Sequence, residues 1–122
     1  MQQENGRGVL VVEDDGLQLL WLQDVLEADG FTVETAANAD RALEVLERNH
    51  ASIGCVITDV RMPGSLDGIA LAQTIRARWP GIHVIMLSAF TWDTRKAPEG
   101  ARVLSKPVAP DRLGAVVHAE CG

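Results

Sequence analysis

The chain has 122 residues, 47% hydrophobic and 23% charged, a balance that fits one globular domain with a buried core and excludes a disordered segment. Its formal net charge of −6 excludes the basic footprint needed to bind nucleic acid directly or to lie on an anionic membrane. Apolar runs such as Val9–Val12 are far too short to span a bilayer, and Met1 to Gly8 lacks the apolar stretch of a signal peptide.

Cys55 lies inside an apolar run and Cys121 at the tail, which suits a reducing compartment better than a disulfide framework. The expectation is a cytoplasmic protein, with residues 1–7 as a flexible N-terminus and one domain over 8–122.

The first predicted strand is Val9–Val12, and Glu13, Asp14 and Asp15 follow it. A helix is predicted from Leu17 to Asp29, stopped by Gly30. Leu19, Leu22, Val25 and Leu26 can line its core side, leaving Leu17 and Trp21 toward one edge and Leu20 nearer the polar face. The second strand is predicted at Phe31–Thr35. Asn38 can then cap a helix over Ala39–Asn49, where Ala42, Val45 and Leu46 form an apolar stripe. The third strand, Ile53–Thr58, leads into Asp59. A helix over Asp67–Trp79 carries Ile69, Ala72 and Ile75 on one face and ends before Pro80.

The fourth strand, His83–Leu87, leads into Ser88. Pro98 and Gly100 then leave space for only one or two turns of helix, so the fourth helix is predicted to be short. A weaker fifth strand, Arg102–Leu104, precedes Lys106 and Pro107, and a last helix runs from Pro110 to Ala119. The first, third and fourth strands are rich in Val and Ile without polar alternation, as in a parallel sheet covered on both faces. The order is therefore (βα)5, an α/β doubly wound three-layer sandwich.

In such a sheet functional groups collect beyond the C-terminal strand ends. Here those ends deliver Glu13, Asp14 and Asp15, then Asp59, then Ser88, then Lys106. Carboxylates about 4 Å apart repel by roughly 4 kcal/mol at an effective dielectric near 20, so grouping them calls for a cation. Mg2+, a hard ion that takes oxygen ligands, is the natural choice. With that charge offset, a phosphoryl group could approach Asp59, while Lys106 and Ser88 meet its oxygens. Asp15 has a second reading, as the start of the first helix. His50, His83 and His118 have no ligand-spaced partners and read as structural or exposed.

The set Val11-Val12-Glu13-Asp14-Asp15, Thr58-Asp59-Val60-Arg61-Met62-Pro63, Leu66-Asp67-Gly68, Leu87-Ser88-Ala89 and Ser105-Lys106-Pro107 resembles that of response-regulator receiver domains of two-component phosphorelay systems, over nearly the whole chain. The resemblance implies a flavodoxin-like sheet of order 2-1-3-4-5 and a cis Lys106–Pro107 bond. It implies that Asp59 is the phosphoacceptor and, with Glu13, Asp14 and the backbone carbonyl of Arg61, a ligand of Mg2+, with Asp14 the more direct of the acidic pair. Ser88 and Lys106 would contact the phosphoryl group.

The implied partner is a sensor histidine kinase or histidine phosphotransfer protein, met through Leu17 and Trp21 of the first helix. Partial burial under neighbouring loops is the other reading of that patch. A homodimer is left open. The domain would catalyse only its own phosphorylation and dephosphorylation.

Family members usually carry Tyr or Phe three residues before the lysine, where this chain has Val103. Phe90 and Trp92 read as packing residues over the short fourth helix, with a stand-in for that absent aromatic as their other reading. The loop from Met62 to Gly68 is also one residue longer than the commonest form. The alternative function is accordingly a pseudo-receiver, an interaction module that works without phosphorylation. A hydrolase of the aspartyl-phosphate type would need Asp where Glu13 stands. A dinucleotide fold would need Gly-x-Gly-x-x-Gly after the first strand.

Overall fold

A computed structural model describes residues 8–60, 67–88 and 97–121. The expectations for residues 1–7, the Arg61 carbonyl, the loop at 62–66, Phe90, Trp92 and the short helix between the fourth and fifth strands lie outside these residues.

Five parallel strands, β1 (Gly8–Val12), β2 (Val33–Ala36), β3 (Ile53–Asp59), β4 (His83–Ser88) and β5 (Arg102–Ser105), form one sheet in the order β2-β1-β3-β4-β5. The helices among the described residues are α1 (Gly16–Ala28), α2 (Ala39–Asn49), α3 (Gly68–Arg78) and α4 (Pro110–Cys121), with one 3-10 turn at His50–Ser52. The flavodoxin-like topology is thus as the resemblance implied.

Because side chains alternate across a strand, one register divides the core in two. Leu10, Val12, Val56, Val84 and Met86 point to the face covered by Ala42 and Leu46 of α2 and Leu71 and Ile75 of α3. Val9, Val11, Cys55, Ile57, Ile85 and Leu87 point to the face covered by Leu22 and Leu26 of α1 and Leu113 and Val117 of α4. Strands β1 and β3 are buried throughout, which is why their sequences do not alternate.

The helix starts carry their own caps. Asp15 accepts from the backbone N–H of Leu17 at 3.0 Å, Asn38 from Arg41 at 2.8 Å, and Asp67 from Ala70 at 2.9 Å. Helix α1 stops where Gly30 takes a positive φ of 98° and the N–H of Phe31 bonds back to Leu26 at 3.0 Å. That closure corrects the expected start of β2. Phe31 is held to the end of α1 and rests against the His118 ring, so the strand begins only at Val33.

Candidate functional site

The C-terminal ends of β1, β3, β4 and β5 meet at one rim. The N–H of Val60 donates to Leu87 at 3.0 Å, and the N–H of Lys106 donates to Ser88 at 2.8 Å. These two bonds carry the sheet pairing past the last strand residues and hold three adjacent strand ends together.

Glu13, Asp14 and Asp59 converge there, with one carboxylate oxygen from each lying within 4.8 Å of the others. Glu13 and Asp59 are buried, whereas Asp14 is exposed. The Lys106 ammonium lies 2.5 Å from Asp59 Oδ1. That oxygen is buried and receives no hydrogen bond, so the contact is an ion pair lying off the angles a hydrogen bond requires.

Ser88 is buried at the adjacent strand end. The structure therefore gathers Glu13, Asp14, Asp59 and Lys106 and sets Ser88 beside them through the backbone of Lys106. Asp15 takes the other reading offered for it and caps α1, while its N–H donates to Glu13 Oε2 at 3.1 Å. The Lys106–Pro107 bond is cis.

Burial first, and then the neighbouring Asp59 carboxylate, push the Glu13 carboxyl up to about 8 from an ordinary 4.5. The Asp15 N–H and the Lys106 ammonium pull the other way and do not outweigh those effects. With a single ammonium among three carboxylates, Glu13 keeps its proton at neutral pH. A buried carboxylate oxygen met by an ammonium but by no hydrogen bond of regular geometry, a carboxyl forced to stay neutral and an all-oxygen donor set together fit a hard divalent cation.

From the rim a cleft of about 670 Å³ runs along α1, lined by Glu13, Gln18, Trp21, Leu22, Lys106 and Pro107. Beside it Leu17, Leu20 and Trp21 are 81%, 54% and 39% exposed. The sequence pointed to Leu17 and Trp21 as a partner patch and not to Gln18 or Pro107, because the cleft that these two line with Trp21 exists only once α1 packs against the loop after β5.

The three histidines lie elsewhere. His50 stacks on Trp79, His83 faces Glu120, and His118 faces Asp29. Thr58 and Gly68, which entered the motifs without a role of their own, both touch the backbone of Asp59. The available signals were a hydroxyl inside an apolar run and a glycine opening a helix.

A family model described as the response regulator receiver domain matches residues 9–118. The chain belongs to this family. It is a receiver domain of the kind found in two-component response regulators. It is 37% identical over 109 residues to the C4-dicarboxylate transport transcriptional regulatory protein DctD of Rhizobium meliloti, covering 86% of this chain and 23% of that protein. It is 33% identical over 113 residues to the sensor kinase CckA of Brucella abortus, covering 89% of this chain and 12% of that protein. The chain thus spans under a quarter of the length of either relative. Among solved structures, a response regulator receiver domain protein from Clostridium thermocellum superposes with a TM-score of 0.87 at 32% identity, covering 94% of each chain.

Proposed function

We propose that the receiver, residues 8–122, accepts a phosphoryl group from a phosphohistidine donor onto Asp59 and passes the signal on through protein contacts. The observation that carries this reading is the Lys106–Asp59 ion pair, set among three carboxylates at the mouth of a cleft. A carboxylate oxygen of Asp59 forms the new bond to phosphorus as the bond from phosphorus to the donor's imidazole nitrogen breaks. The electron pair of that bond leaves with the imidazole. The Lys106 ammonium faces the charge of the incoming group, and the Ser88 hydroxyl is the donor for one of its oxygens. Water later hydrolyses the acyl phosphate, so the protein catalyses only its own modification.

Glu13, Asp14, Asp59 and the backbone carbonyl of Arg61 would hold Mg2+, which when bound supplies positive charge to offset the carboxylates and the phosphoryl oxygens. Neither pulling Glu13 down from its raised pKa nor offsetting Asp14 is within the reach of Lys106 alone. The donor is a sensor histidine kinase or a histidine phosphotransfer protein, meeting Leu17 and Trp21 of α1. Their exposure, and the place of Trp21 in the wall of the cleft, support that assignment. Cytoplasmic location belongs to the same reading, since phosphohistidine donors and Mg2+ are met there. Among the described residues no helix is long and apolar enough to cross a membrane.

Incubation with Mg2+ and acetyl phosphate should give a phosphate-dependent mobility shift that disappears in Asp59→Asn. A wild-type chain that neither shifts nor responds to Mg2+ near Asp59 would refute the proposal. The phosphorylation-independent interaction module, to which Val103 lends some support, would then be the reading left standing.

A further inference from the structure

Strand β3 buries one hydroxyl in a setting built for hydrocarbon. Thr58 is fully buried, and its in-register neighbours are Val12 on β1 and Met86 on β4, both apolar and both buried. Valine has the same shape as threonine, a strong strand preference and no polar atom to satisfy. A threonine that served only to fill this space would bury a hydroxyl for nothing, at a cost unless that hydroxyl is hydrogen-bonded. Its recorded partner is the backbone carbonyl of Asp59, to which Thr58 Oγ1 donates at 3.0 Å.

The same carbonyl is confined from a second side. Gly68, the first residue of α3, lies so close that an added Cβ would fall inside the Asp59 carbonyl, 2.8 Å from its carbon and 2.9 Å from the Val60 oxygen. The N–H of Gly68 also donates to Val60 O at 3.0 Å. The peptide following Asp59, whose N–H makes the last ladder bond to Leu87 at 3.0 Å, is thus also gripped at its carbonyl between a hydroxyl and a bare helix start. The side chain of Asp59 leaves the Cα that joins this peptide to the strand, so holding the peptide steadies the base from which the carboxylate reaches Lys106 and Glu13.

We infer that Thr58 is a positioning residue for Asp59, its hydroxyl fixing the carbonyl that Gly68 leaves room for and so aiming the carboxylate. The inference rests on the reading of Asp59 as phosphoacceptor. The reacting groups are unchanged by it, and its effect is on the fraction of encounters in which Asp59 points correctly.

The test compares wild type, Thr58→Val and Thr58→Ser in the full chain. Thermal melts and Mg2+ titrations are followed by rates of labelling with acetyl phosphate at saturating Mg2+. The expected result is that Thr58→Val stays folded, binds Mg2+ more weakly and, even at saturating Mg2+, labels about tenfold more slowly, and that Thr58→Ser recovers most of both losses. In the metal-free protein, the Asp59 carbonyl carbon should shift in Thr58→Val and return in Thr58→Ser.

A Thr58→Val rate within twofold of wild type would reduce Thr58 to a core residue, as would a loss that serine does not restore. If Thr58→Val fails to fold, Thr58→Cys removes the hydroxyl at similar volume and is judged by the same rates and carbonyl shift. Failure of the parent reading is distinct from these outcomes, because wild type itself would then not label.

Discussion

At the N-terminal ends of the strands, charged side chains meet opposite partners. Arg102 and His83, which open β5 and β4, both face Glu120 near the end of α4, at 3.4 and 3.5 Å. Arg78 at the end of α3 pairs with Glu47 of α2 at 3.1 Å, and His118 faces Asp29 at the same distance. At the C-terminal ends three carboxylates share the Lys106 ammonium, one of them keeps a proton it would lose in water, and a buried oxygen goes without a hydrogen bond. One rim is arranged for stability. The other gathers three acidic groups around one ammonium with one of them held neutral, and such pKa-perturbed clusters mark functional sites.

The comparison can be pressed hardest by placing the same substitution on both rims. Gly68→Ala drives a methyl group into the Asp59 carbonyl, and a cost of about 3 kcal/mol is expected in a denaturant melt. Gly81→Ala, on the opposite rim, meets nothing within 4 Å and should change stability by less than about 0.5 kcal/mol. Equal losses at the two positions would mean that the upper rim is not the tighter one.

A pH series separates the rims next. Glu13 is protonated in both folded and unfolded chains below about 4.5, and only in the folded chain between there and about 8. The folded state therefore holds the extra proton across that window, and its contribution to stability declines as pH rises, being lost above about 8. Melting in the absence of metal should show this decline, and saturating Mg2+ should flatten it. Asp59→Asn should bring the Glu13 titration down toward 4.5 in a side-chain carboxyl NMR experiment, since Asp59 is one of the groups holding it up. A Glu13 pKa near 4.5 in wild type would remove the contrast altogether.

Trp21→Glu tests whether the cleft beside the charged rim is where the donor sits. Transfer from a cognate phosphohistidine protein should slow by about tenfold, while labelling by acetyl phosphate stays at the wild-type rate. Equal slowing of both would show that Trp21 supports the site itself. The smallest effect is expected from Arg78→Ala on the lower rim, whose exposed pair with Glu47 should be worth less than about 1 kcal/mol and should lose most of that in high salt.

Much of this was legible in the sequence because it is local. Asn38 before Ala39 gave the start of α2 to the residue, and Pro80 placed the end of α3, both being signals carried by one or two neighbouring side chains. The site residues were legible for a different reason. Each closes a strand or lies within two residues of its end, and a parallel sheet sends all such positions to one rim. What was not legible depends on distances between segments. The raised Glu13 pKa requires knowing that Asp59 is its neighbour and that both are buried. The late start of β2 depends on Phe31 being claimed by α1 and His118, which no pattern of apolar residues reveals. Thr58 was counted as the last residue of a strand, and only its hydrogen bond to the next carbonyl sets it apart from the valines around it.

The outward face of α1 carries none of the rim's reacting groups. Its links to them are the Asp15 cap and Trp21, which lines the cleft with Glu13 and Lys106, while Leu17 and Leu20 are exposed. On the proposed function, chemistry and address would be inscribed on different residues, and a lineage that duplicated this domain could redirect one copy to a new donor by exchanging exposed side chains of α1 while leaving the proposed ability to take a phosphoryl group intact.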